Sequence, residues 1–364
     1  MRTICFYVSD YGAGHAARSI ALVRAILAAY PSVRIIVKSE GPFDLLARSL
    51  PNPRVMVIPC RNDISVPLQP GTDAVDGETT RALLEDWHTT WEAFVSSEVR
   101  FCRDEGVSLI LSDIVPQPFL VADDAGIPSV AVSNFSWDTI YAHLLSENAP
   151  VVTEMRHAYS RASLACILPF HLPMPAFPRR VPVSLLARAI TVPRAGMRTR
   201  LGIPADARVV FFNPRCPPDQ LSQTFLSTVS HEPGIRLVMP SPFAAVHPRI
   251  IPLPAGETES QNWIGMCDAV VTRCGYSTVS EAVQAQVPLV VWERPGFIED
   301  RAIAATIRRL GVGTALSYPE ICSPAWISRL PEFLAYKQHY ERTGRDYTNT
   351  GSEEILSHIT EFIV

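Results

Sequence analysis

Residues 270–300 read VVTRCGYSTVSEAVQAQVPLVVWERPGFIED, and this stretch decides which fold the sequence predicts. An apolar run at its start leads into a turn around Gly275, and the hydroxyl pair Ser277 and Thr278 opens a predicted helix. A second apolar run follows at residues 288–292. A buried strand, a helix and another buried strand in this order predict a βαβ unit with parallel strands.

The turn and helix start of this unit form a candidate phosphate site. Helix N-termini present unpaired backbone N–H groups and the positive end of the helix dipole, which together bind phosphate. The turn contains Gly275 and Tyr276, and glycine lets a backbone come close to a ligand. The hydroxyls of Ser277 and Thr278 can either cap the helix or bind phosphate oxygens. Glu281 lies one turn further on, where a carboxylate suits a ribose diol, but the pattern also fits an ordinary βαβ unit with Glu281 on the surface.

Length and composition indicate a globular protein of two domains. A chain of 364 residues exceeds one typical hydrophobic core, so two domains of ordinary size are expected. Hydrophobic residues make up 47% of the chain and charged residues 19%, which argues against extensive disorder. The formal net charge of −4 gives no general attraction to nucleic acids or anionic membranes, so nucleic acid is not an expected partner.

Neither a membrane span nor a metal site is expected from the sequence. No apolar run approaches the roughly 18 residues that a membrane span needs, and the apolar start of the chain is too short for a secretory signal. The eight cysteines are scattered without a CxxC pair, and most lie in or beside apolar runs. This pattern predicts reduced core thiols in a cytoplasmic protein without a zinc site.

The N-terminal half begins with a second candidate ligand site. An apolar run at residues 2–9 predicts a strand, the loop YGAGH follows, and a helix is predicted over residues 16–29. The full GxGxxG spacing of dinucleotide-binding folds is missing, which weakens an oxidoreductase interpretation. The loop still brings His15 to the carboxyl end of the first strand, the edge at which open α/β sheets bind ligands.

Polar and aromatic residues follow the later strands of this half. Strands are predicted at residues 33–37, 54–58, 107–111 and 129–132, with a long loop at 61–76 and one long helix at 78–104. Asp113 follows the fourth strand, and Asn134, Trp137 and Asp138 follow the fifth. These side chains are therefore expected to collect at the ligand-binding edge. Trp137 fits either stacking on a ligand ring or ordinary packing.

A proline-rich segment divides the chain. Residues 168–182 read LPFHLPMPAFPRRVP, and neither a helix nor a central strand accommodates this proline density. A second series of strands and helices follows, so two α/β halves with a cleft between them are expected. The predicted divisions are an N-terminal domain at 1–170, a linker at 171–184, a C-terminal domain at 185–340, and a C-terminal helix at 341–364 that packs back toward the first domain.

The stretch quoted first resembles the nucleotide-sugar half of GT-B glycosyltransferases, especially the bacterial peptidoglycan N-acetylglucosaminyltransferase and the plant galactolipid synthases. In those enzymes a glycine-containing turn, a hydroxyl pair and a glutamate hold the diphosphate and ribose of the donor. The loop that contains Gly14 and His15 resembles the GxGH loop of the same fold, and the resemblance places Gly14 beside the donor. The implied fold is α/β of the GT-B type, with two Rossmann-like domains facing each other across a cleft.

A closer resemblance covers most of the chain. The motifs YGAGHAARS, SDIVPQPFLVADDAGIP, SNFSWDTIY, LPMPAF and GYSTVSEA occur in this order and resemble the glycosyltransferase-like N-terminal region of L-arabinokinases and its stand-alone bacterial relatives. In those kinases, phosphoryl transfer belongs to a separate downstream domain. The phosphate-binding pattern GxxxxGK[ST] does not occur in this sequence.

The resemblance implies catalytic roles in the N-terminal domain, which would bind the acceptor. In inverting enzymes of this fold, a histidine in the first loop deprotonates the acceptor and an aspartate after a later strand orients that histidine. His15 and Asp113 stand at these positions, and an imidazole held by a carboxylate is suited to accepting a proton near neutral pH. The alternative is that His15 only donates a hydrogen bond to a backbone carbonyl. Asn134, Trp137 and Asp138 would shape the acceptor pocket.

The donor side includes four further charged residues. Arg18 can bind a diphosphate or an acidic sugar, or it can be a solvated charge on a helix face. Arg215 follows the first strand of the C-terminal half, where relatives often have glycine or serine, and its planar charged fork suits phosphate. Glu299 and Asp300 stand where relatives often carry an Asp-Gln or Gln-Gln pair that binds the donor sugar; as carboxylates they can accept hydrogen bonds from sugar hydroxyls.

These observations predict a glycosyltransferase that moves a sugar from a nucleoside diphosphate donor, expected to be a UDP-sugar, to a small-molecule acceptor. No Asp-x-Asp pair occurs in the sequence, so metal-independent catalysis is predicted, with no cofactor beyond the donor as co-substrate. Two alternatives remain open from the sequence. One is a nucleotide-sugar epimerase, since the same fold hosts that chemistry, and the other is a non-catalytic protein that binds sugar nucleotides.

Overall fold

The protein forms two compact units, each built on a parallel sheet. The computed structural model describes residues 2–69, 72, 74–213, 223–240, 249–343 and 348–363. The first unit comprises Met1–Ala187 and Asn349–Val364, and the second comprises Arg188–Thr348.

Seven parallel strands form the sheet of the first unit, in the order β3-β2-β1-β4-β5-β6-β7. The strands are β1 (Arg2–Val8), β2 (Val33–Lys38), β3 (Val55–Ile58), β4 (Val107–Asp113), β5 (Ser129–Ser133), β6 (Leu164–Ile167) and β7 (Arg180–Pro182). The central strands β1, β4 and β5 are almost entirely buried, as expected for a parallel sheet covered on both faces. The strand order changes direction between β1 and β4, and such switch points are where open α/β sheets bind ligands.

The helices of the first unit are α1 (Ala13–Ala29), α2 (Phe43–Ser49), α3 (Gly77–His88), α4 (Trp91–Asp104), α5 (Gln117–Ala125), α6 (Trp137–Leu144), α7 (Pro150–Ser160) and, from the end of the chain, α16 (Gly351–Ile363). Helix α16 packs against α1 and β4 and buries Ile355, Ile359 and Ile363. The Tyr30 hydroxyl, just after α1, lies 2.5 Å from Thr360 Oγ1. The last helix therefore contributes to the core of the first unit.

Two details of this unit differ from the sequence-based predictions. The helix predicted over residues 78–104 is broken into α3 and α4, because Thr89 and Thr90 donate their hydroxyls to the carbonyls of Asp86 and Trp87 at 2.6 and 2.7 Å and end α3. The segment predicted as a linker, 171–184, lies within the first unit, and its residues Arg180–Pro182 pair with β6 as the edge strand β7. Prolines are compatible with an edge strand because one side needs no hydrogen-bonded partner.

The second unit has a sheet of six parallel strands in the order β10-β9-β8-β11-β12-β13. The strands are β8 (Arg208–Asn213), β9 (Ile235–Pro240), β10 (Ile250–Leu253), β11 (Ala269–Arg273), β12 (Leu289–Trp292) and β13 (Gly313–Ala315). The helices are α8 (Arg194–Arg200), α9 (Gln223–His231), α10 (Ser260–Gly265), α11 (Tyr276–Gln284), α12 (Ile298–Leu310), α13 (Tyr318–Cys322), α14 (Leu330–Leu334) and α15 (Lys337–Thr343), with a 3₁₀ helix at Pro324–Arg329.

The βαβ unit predicted from residues 270–300 is present as β11, α11 and β12. The two strands are parallel neighbours, with Val270 opposite Leu289. The change in strand direction of this sheet lies between β8 and β11. The turn after β11 therefore opens at the switch point of the second sheet.

No helix in the described part of the chain combines the length and the apolar character that crossing a bilayer requires. The described cysteines form no disulfide, and five of these seven are buried. Cys216 lies outside the described residues.

Candidate functional site

Residues at the carboxyl ends of β1, β4 and β5 form a buried polar cluster in the first unit. The chain leaves β1 through Gly12, which has φ 92° and so adopts a backbone conformation that favours glycine. Helix α1 begins at Ala13, three residues earlier than the sequence predicts. Its first turn consequently carries His15, and its second turn carries Arg18 on the same helix face.

His15 and Asp113 are brought together by this geometry. The Nδ1 atom of His15 lies 2.9 Å from Oδ1 of Asp113, at the end of β4. Their side chains are 7% and 1% exposed. The partner of His15 is a carboxylate, so the open alternative of a bond only to a backbone carbonyl does not describe this site.

Arg18 completes the cluster from within the protein. Its Nε donates to Asp113 Oδ2 at 2.6 Å and its Nη2 to Asp113 Oδ1 at 2.5 Å, while Nη1 donates to Asn134 Oδ1 at 2.5 Å. Its Nη2 also lies 3.1 Å from Ser133 Oγ and 2.9 Å from His15 Nδ1. Arg18 is 3% exposed, so it is not the solvated helix-face charge that the sequence also allowed. These partners all belong to the cluster around the predicted base, whereas the sequence-based prediction assigned Arg18 to the donor.

The charge of Asp113 is stabilised by its neighbours. Burial acts to raise the pKa of this carboxyl group. The charge of Arg18, followed by electrostatic interaction with His15 and by hydrogen bonds from both residues, outweighs burial and holds the pKa below its ordinary value. Asp113 is therefore an ionised carboxylate at neutral pH, which is the state that can orient an imidazole.

The three residues predicted to bind the acceptor have different environments. Asn134 accepts a hydrogen bond from Arg18 and belongs to the polar cluster. Trp137 is fully buried and stacks on Tyr141, with ring centroids 5.1 Å apart, which fits ordinary packing; its place in the acceptor pocket stays a prediction. Asp138 is 1% exposed, burial raises the pKa of its carboxyl group, and its Oδ2 lies 3.4 Å from Arg156.

A second buried carboxyl group, Asp63, lies beside Trp137. Its Oδ2 accepts from Trp137 Nε1 at 3.0 Å, and its Oδ1 accepts from the backbone N–H of Asp10 at 2.8 Å. Burial, followed by the charge of Asp10, raises the pKa of Asp63 to about 8. Asp63 is therefore mostly protonated at neutral pH, and its carboxyl group is neutral.

The candidate donor site of the second unit lies between β11 and α11. Gly275 occupies the N-cap position and α11 begins at Tyr276, so no N-cap side chain covers the first N–H groups of the helix. Tyr276 and Ser277 are buried, and Thr278 is half-buried. The predicted turn and hydroxyl pair thus lie together at a helix N-terminus, the arrangement that favours an anion.

Glu281 is buried and paired. Its Oε1 accepts from Arg188 Nε at 2.8 Å, and Arg188 also donates to Ser260 Oγ at 2.8 Å and to the carbonyl of Thr258. Glu281 is 3% exposed, so the alternative of a surface residue is wrong. Burial raises the pKa of Glu281, and the charge of Arg188 opposes this shift.

Glu299 and Asp300, the two carboxylates predicted to bind the donor sugar, are both buried in the second unit. Asp300 is fully buried and accepts from the backbone N–H, Nε and Nη2 of Arg294 at 2.9, 2.9 and 2.7 Å. The guanidinium of Arg294 also covers the ring of Phe297 at 3.6 Å. Glu299 is 6% exposed. Arg294 donates to both oxygens of Asp300, and the binding of the donor sugar by this side chain stays a prediction.

The predicted phosphate contact of Arg215 falls outside the described residues, and the prediction of metal-independent catalysis can be compared only with the residues that are described. Within the described residues, no group of three or more His, Cys, Asp or Glu side chains is arranged to hold a metal ion.

Comparison with curated proteins finds two relatives. The chain is 29% identical to the L-arabinokinase of Arabidopsis thaliana over 349 residues, which cover 92% of the chain and 32% of that protein. It is 30% identical to the lipid-A-disaccharide synthase of Pseudomonas aeruginosa over 200 residues, which cover 48% of the chain and 51% of that protein. The chain therefore spans about a third and about half of the lengths of these relatives. A scan of protein-family models finds no match.

Solved structures match the chain over its whole length. The calicheamicin glycosyltransferase CalG4 superposes with a TM-score of 0.68 at 17% identity, covering 100% of this chain and 98% of that one. Phytolacca americana UGT2, in complex with UDP-2-fluoro-glucose and pterostilbene, gives 0.66 at 13% identity, with 100% of both chains covered. Arabidopsis thaliana UGT89C1 with UDP gives 0.67 at 14% identity, again with 100% of both chains covered. The chain has the GT-B fold.

The GT-B assignment confirms the predicted fold class, and the match to L-arabinokinase confirms the resemblance seen in the sequence motifs. In this GT-B chain, each candidate site lies at the switch point of its own sheet. The His15 cluster follows β1 and β4, and the helix N-terminus at Tyr276 follows β11.

Three residues of these sites were missed by reasoning from the sequence. Asp63 lies in a segment interpreted as a long ligand-edge loop, and nothing in its local pattern signals burial. Arg188 and Arg294 are single basic residues without a motif, and only the folded chain shows that they pair with Glu281 and Asp300. A buried carboxylate needs a buried cation. If Glu281 and Asp300 are assumed to be buried, each of them signals that a basic partner exists elsewhere in the chain.

Proposed function

We propose that this protein is a glycosyltransferase that moves a sugar from a UDP-sugar to a small-molecule acceptor without a metal ion. The observation that carries the proposal is the buried His15–Asp113 pair, which lies at the switch point of the first sheet of a GT-B chain. The glycosyltransferases of similar fold include structures with UDP and UDP-2-fluoro-glucose, which supports a uridine nucleotide as the donor. Free thiols in the core support a cytoplasmic location.

In the proposed reaction His15 acts as the general base. An acceptor hydroxyl is a weak nucleophile, and a positioned imidazole that takes its proton as the bond to the sugar forms accelerates the attack by about 100-fold or more. Asp113 orients the ring and stabilises the imidazolium that results. Its ionised state follows from the nearby Arg18 charge. Asn134 contributes through Arg18, with which it shares a hydrogen bond.

The donor is proposed to bind at the N-terminus of α11. The backbone N–H groups after Gly275 and the hydroxyls of Ser277 and Thr278 would hold the diphosphate, and the helix dipole would stabilise it as the leaving group. Glu281 would accept hydrogen bonds from the ribose. Metal-independent catalysis is part of the proposal because the sequence lacks an Asp-x-Asp pair and the helix N-terminus supplies positive potential.

The test is a panel of UDP-, GDP- and dTDP-sugars with nucleotide release as the readout. We expect slow release with at least one UDP-sugar, since water can replace the acceptor, and a loss of about 100-fold in His15→Ala. His157→Ala is the matched control, because His157 is an exposed histidine of the first unit and should leave the rate unchanged.

The same panel separates the alternatives. An isomerised donor without nucleotide release would identify an epimerase. Donor binding without turnover, unchanged in His15→Ala, would identify a sugar-nucleotide-binding protein. No release from any donor at high enzyme concentration would contradict the transferase.

A further inference from the structure

Arg18 is the residue whose contacts exceed any role given to it so far. It donates to two oxygens of one carboxylate and to two neutral side chains, and it touches the imidazole of His15. We propose that Arg18 is a positioning residue: through Asp113 it fixes His15 as the Nδ1–H tautomer and leaves Nε2 as the proton-accepting atom. Its importance for catalysis rests on the proposed function, whereas the tautomer is a property of the resting protein.

The tautomer follows from which atoms can share a proton. Oδ1 of Asp113 lies 2.9 Å from Nδ1 of His15. An ionised carboxylate only accepts, so a ring nitrogen without a proton at this distance would place two lone pairs against each other in a buried site. Nδ1 must therefore carry the proton and donate it to Asp113. In a neutral imidazole the other nitrogen, Nε2, is then the acceptor.

The hydrogen inventory of Arg18 agrees with this assignment. Nη2 carries two protons and lies within hydrogen-bonding distance of Asp113 Oδ1, Ser133 Oγ and His15 Nδ1. If its protons go to the aspartate and the serine, no proton from Arg18 is needed at Nδ1. Nδ1 then donates to Asp113, while the guanidinium donates to Asp113, Ser133 and Asn134.

The fork of Arg18 is what fixes the orientation of the carboxylate. Nε donates to Oδ2 at 2.6 Å and Nη2 donates to Oδ1 at 2.5 Å. This bidentate interaction orients the carboxylate so that Oδ1 faces His15. Nη1 anchors the guanidinium to Asn134, which follows β5. Without Arg18, Asp113 would keep its bond to the imidazole and a contact of 3.3 Å from Ser19 Oγ, which restrict the orientation of the carboxylate less than the guanidinium does.

Charge balance gives a second reason for this residue. Asp113 is 1% exposed, and a buried carboxylate without a cation would be strongly destabilised or neutralised. Arg18 supplies the cation, so the charges of its guanidinium and of the Asp113 carboxylate offset each other within the cluster. A lysine in place of Arg18 would keep the charge but lose the bidentate hydrogen bonding to the carboxylate.

The experiment measures the tautomer directly. Protein labelled with ¹⁵N-histidine is recorded by long-range ¹H–¹⁵N NMR, and His15→Gln identifies the His15 signals among the nine histidines. The wild type is expected to show a single Nδ1–H tautomer at His15. Arg18→Met and Arg18→Lys are expected to show a mixture of both tautomers.

Arg24→Met is the matched control. Arg24 lies on the same helix and donates to the carbonyl of Ser49 at 3.0 Å, outside the polar cluster. It should keep the wild-type His15 spectrum. In the transfer reaction, Arg18→Met should lower kcat by about 100-fold, the scale of a general base that is no longer positioned, with donor KM within about twofold of wild type.

Three results would overturn the proposal. The first is an Nε2–H tautomer at His15 in the wild type. The second is an unchanged single tautomer in folded Arg18→Met. The third is a wild-type spectrum in Arg18→Lys, which would mean that charge alone suffices. If Arg18→Met fails to fold, the wild type and the lysine variant decide the matter. Because the spectra need no substrate, absent transferase activity would contradict the proposed function without affecting this test.

Discussion

Among single residues, Asp63 has an unusual environment, because its carboxyl group is buried beside Trp137 and near the charge of Asp10. Its pKa of about 8 in the folded protein compares with an ordinary value of 3.8. Between these two pH values the folded protein holds a proton that the unfolded chain has lost. The contribution of this bound proton to the free energy of unfolding is therefore fully present below about pH 4. It is lost as the pH rises through about 8.

Asp63→Asn should remove this dependence, because asparagine is neutral at every pH. We expect the free energy of unfolding of wild type, measured relative to Asp63→Asn by urea titration, to fall by about 1.4 kcal/mol per pH unit between pH 5 and 7. Asp104→Asn, at an exposed position, is the control and should follow wild type. A constant difference between wild type and Asp63→Asn over this range would mean that Asp63 is ionised in the folded protein.

The Arg188–Glu281 pair yields a prediction that separates binding from stability. Arg188→Met leaves the carboxylate of Glu281 buried without its cation, which should lower the free energy of unfolding by about 3 kcal/mol. Glu281→Ala removes the proposed ribose ligand and should weaken UDP binding by about tenfold, measured by calorimetry, which corresponds to one lost hydrogen bond of about 1.4 kcal/mol.

Comparing the two variants shows which role Glu281 has. If Glu281→Ala binds UDP like wild type, the ribose assignment is wrong. If Arg188→Met and Glu281→Ala lose the same affinity, the loss comes from breaking the ion pair rather than from removing a ribose contact.

The residue types of both sites could be predicted from the sequence, but their partners could not. His15 and Asp113 are separated by 98 positions, and their proximity followed from the rule that parallel strands expose their carboxyl ends at one edge. No such rule identifies which basic side chain enters a buried site. Arg18, Arg188 and Arg294 each pair with a carboxylate, and these pairings depend on packing rather than on local pattern.

At the level of elements, the βαβ unit was predictable because its two apolar runs and its turn are local. The break between α3 and α4 was not, because the apolar spacing continues through it and the hydroxyls of Thr89 and Thr90 decide where α3 ends. Helix propensity alone does not distinguish a threonine that continues a helix from one that caps its last carbonyls.

The start of α16 gives a prediction at this level. Gly351 donates its N–H to the carbonyl of Leu185 at 2.9 Å, and a Cβ at this position would lie 2.5 Å from the carbonyl oxygens of Ser184 and Leu185. Gly351→Ala should therefore shift α16 and lower the free energy of unfolding by about 1–3 kcal/mol.

Urea unfolding monitored by circular dichroism measures this change, and amide hydrogen exchange locates it. Ser352→Ala, the next residue along the helix, is the control and should change stability by less than about 0.5 kcal/mol. If Gly351→Ala has the stability of wild type, the backbone around residue 351 can shift to accommodate a Cβ without lowering the free energy of unfolding.

For the whole molecule, two parallel α/β units were predictable from alternating strands and helices, but the boundary between them was not. Proline density at residues 171–184 suggested a linker, yet part of this segment forms the edge strand β7. The division lies instead between Ala187 and Arg188, and again between Thr348 and Asn349. Composition cannot reveal it, because prolines suit an edge strand as well as a connection.

The return of α16 to the first unit bears on how the protein is made. A ribosome adds about 5–20 residues per second, so β1 to β7 emerge many seconds before residues 351–363 do. The second unit is a continuous stretch and has all its strands available while the first still lacks the helix that covers α1 and β4. During that interval the nascent chain exposes the apolar surface that later buries Ile355 and Ile359, and this surface is where a chaperone would bind it during synthesis.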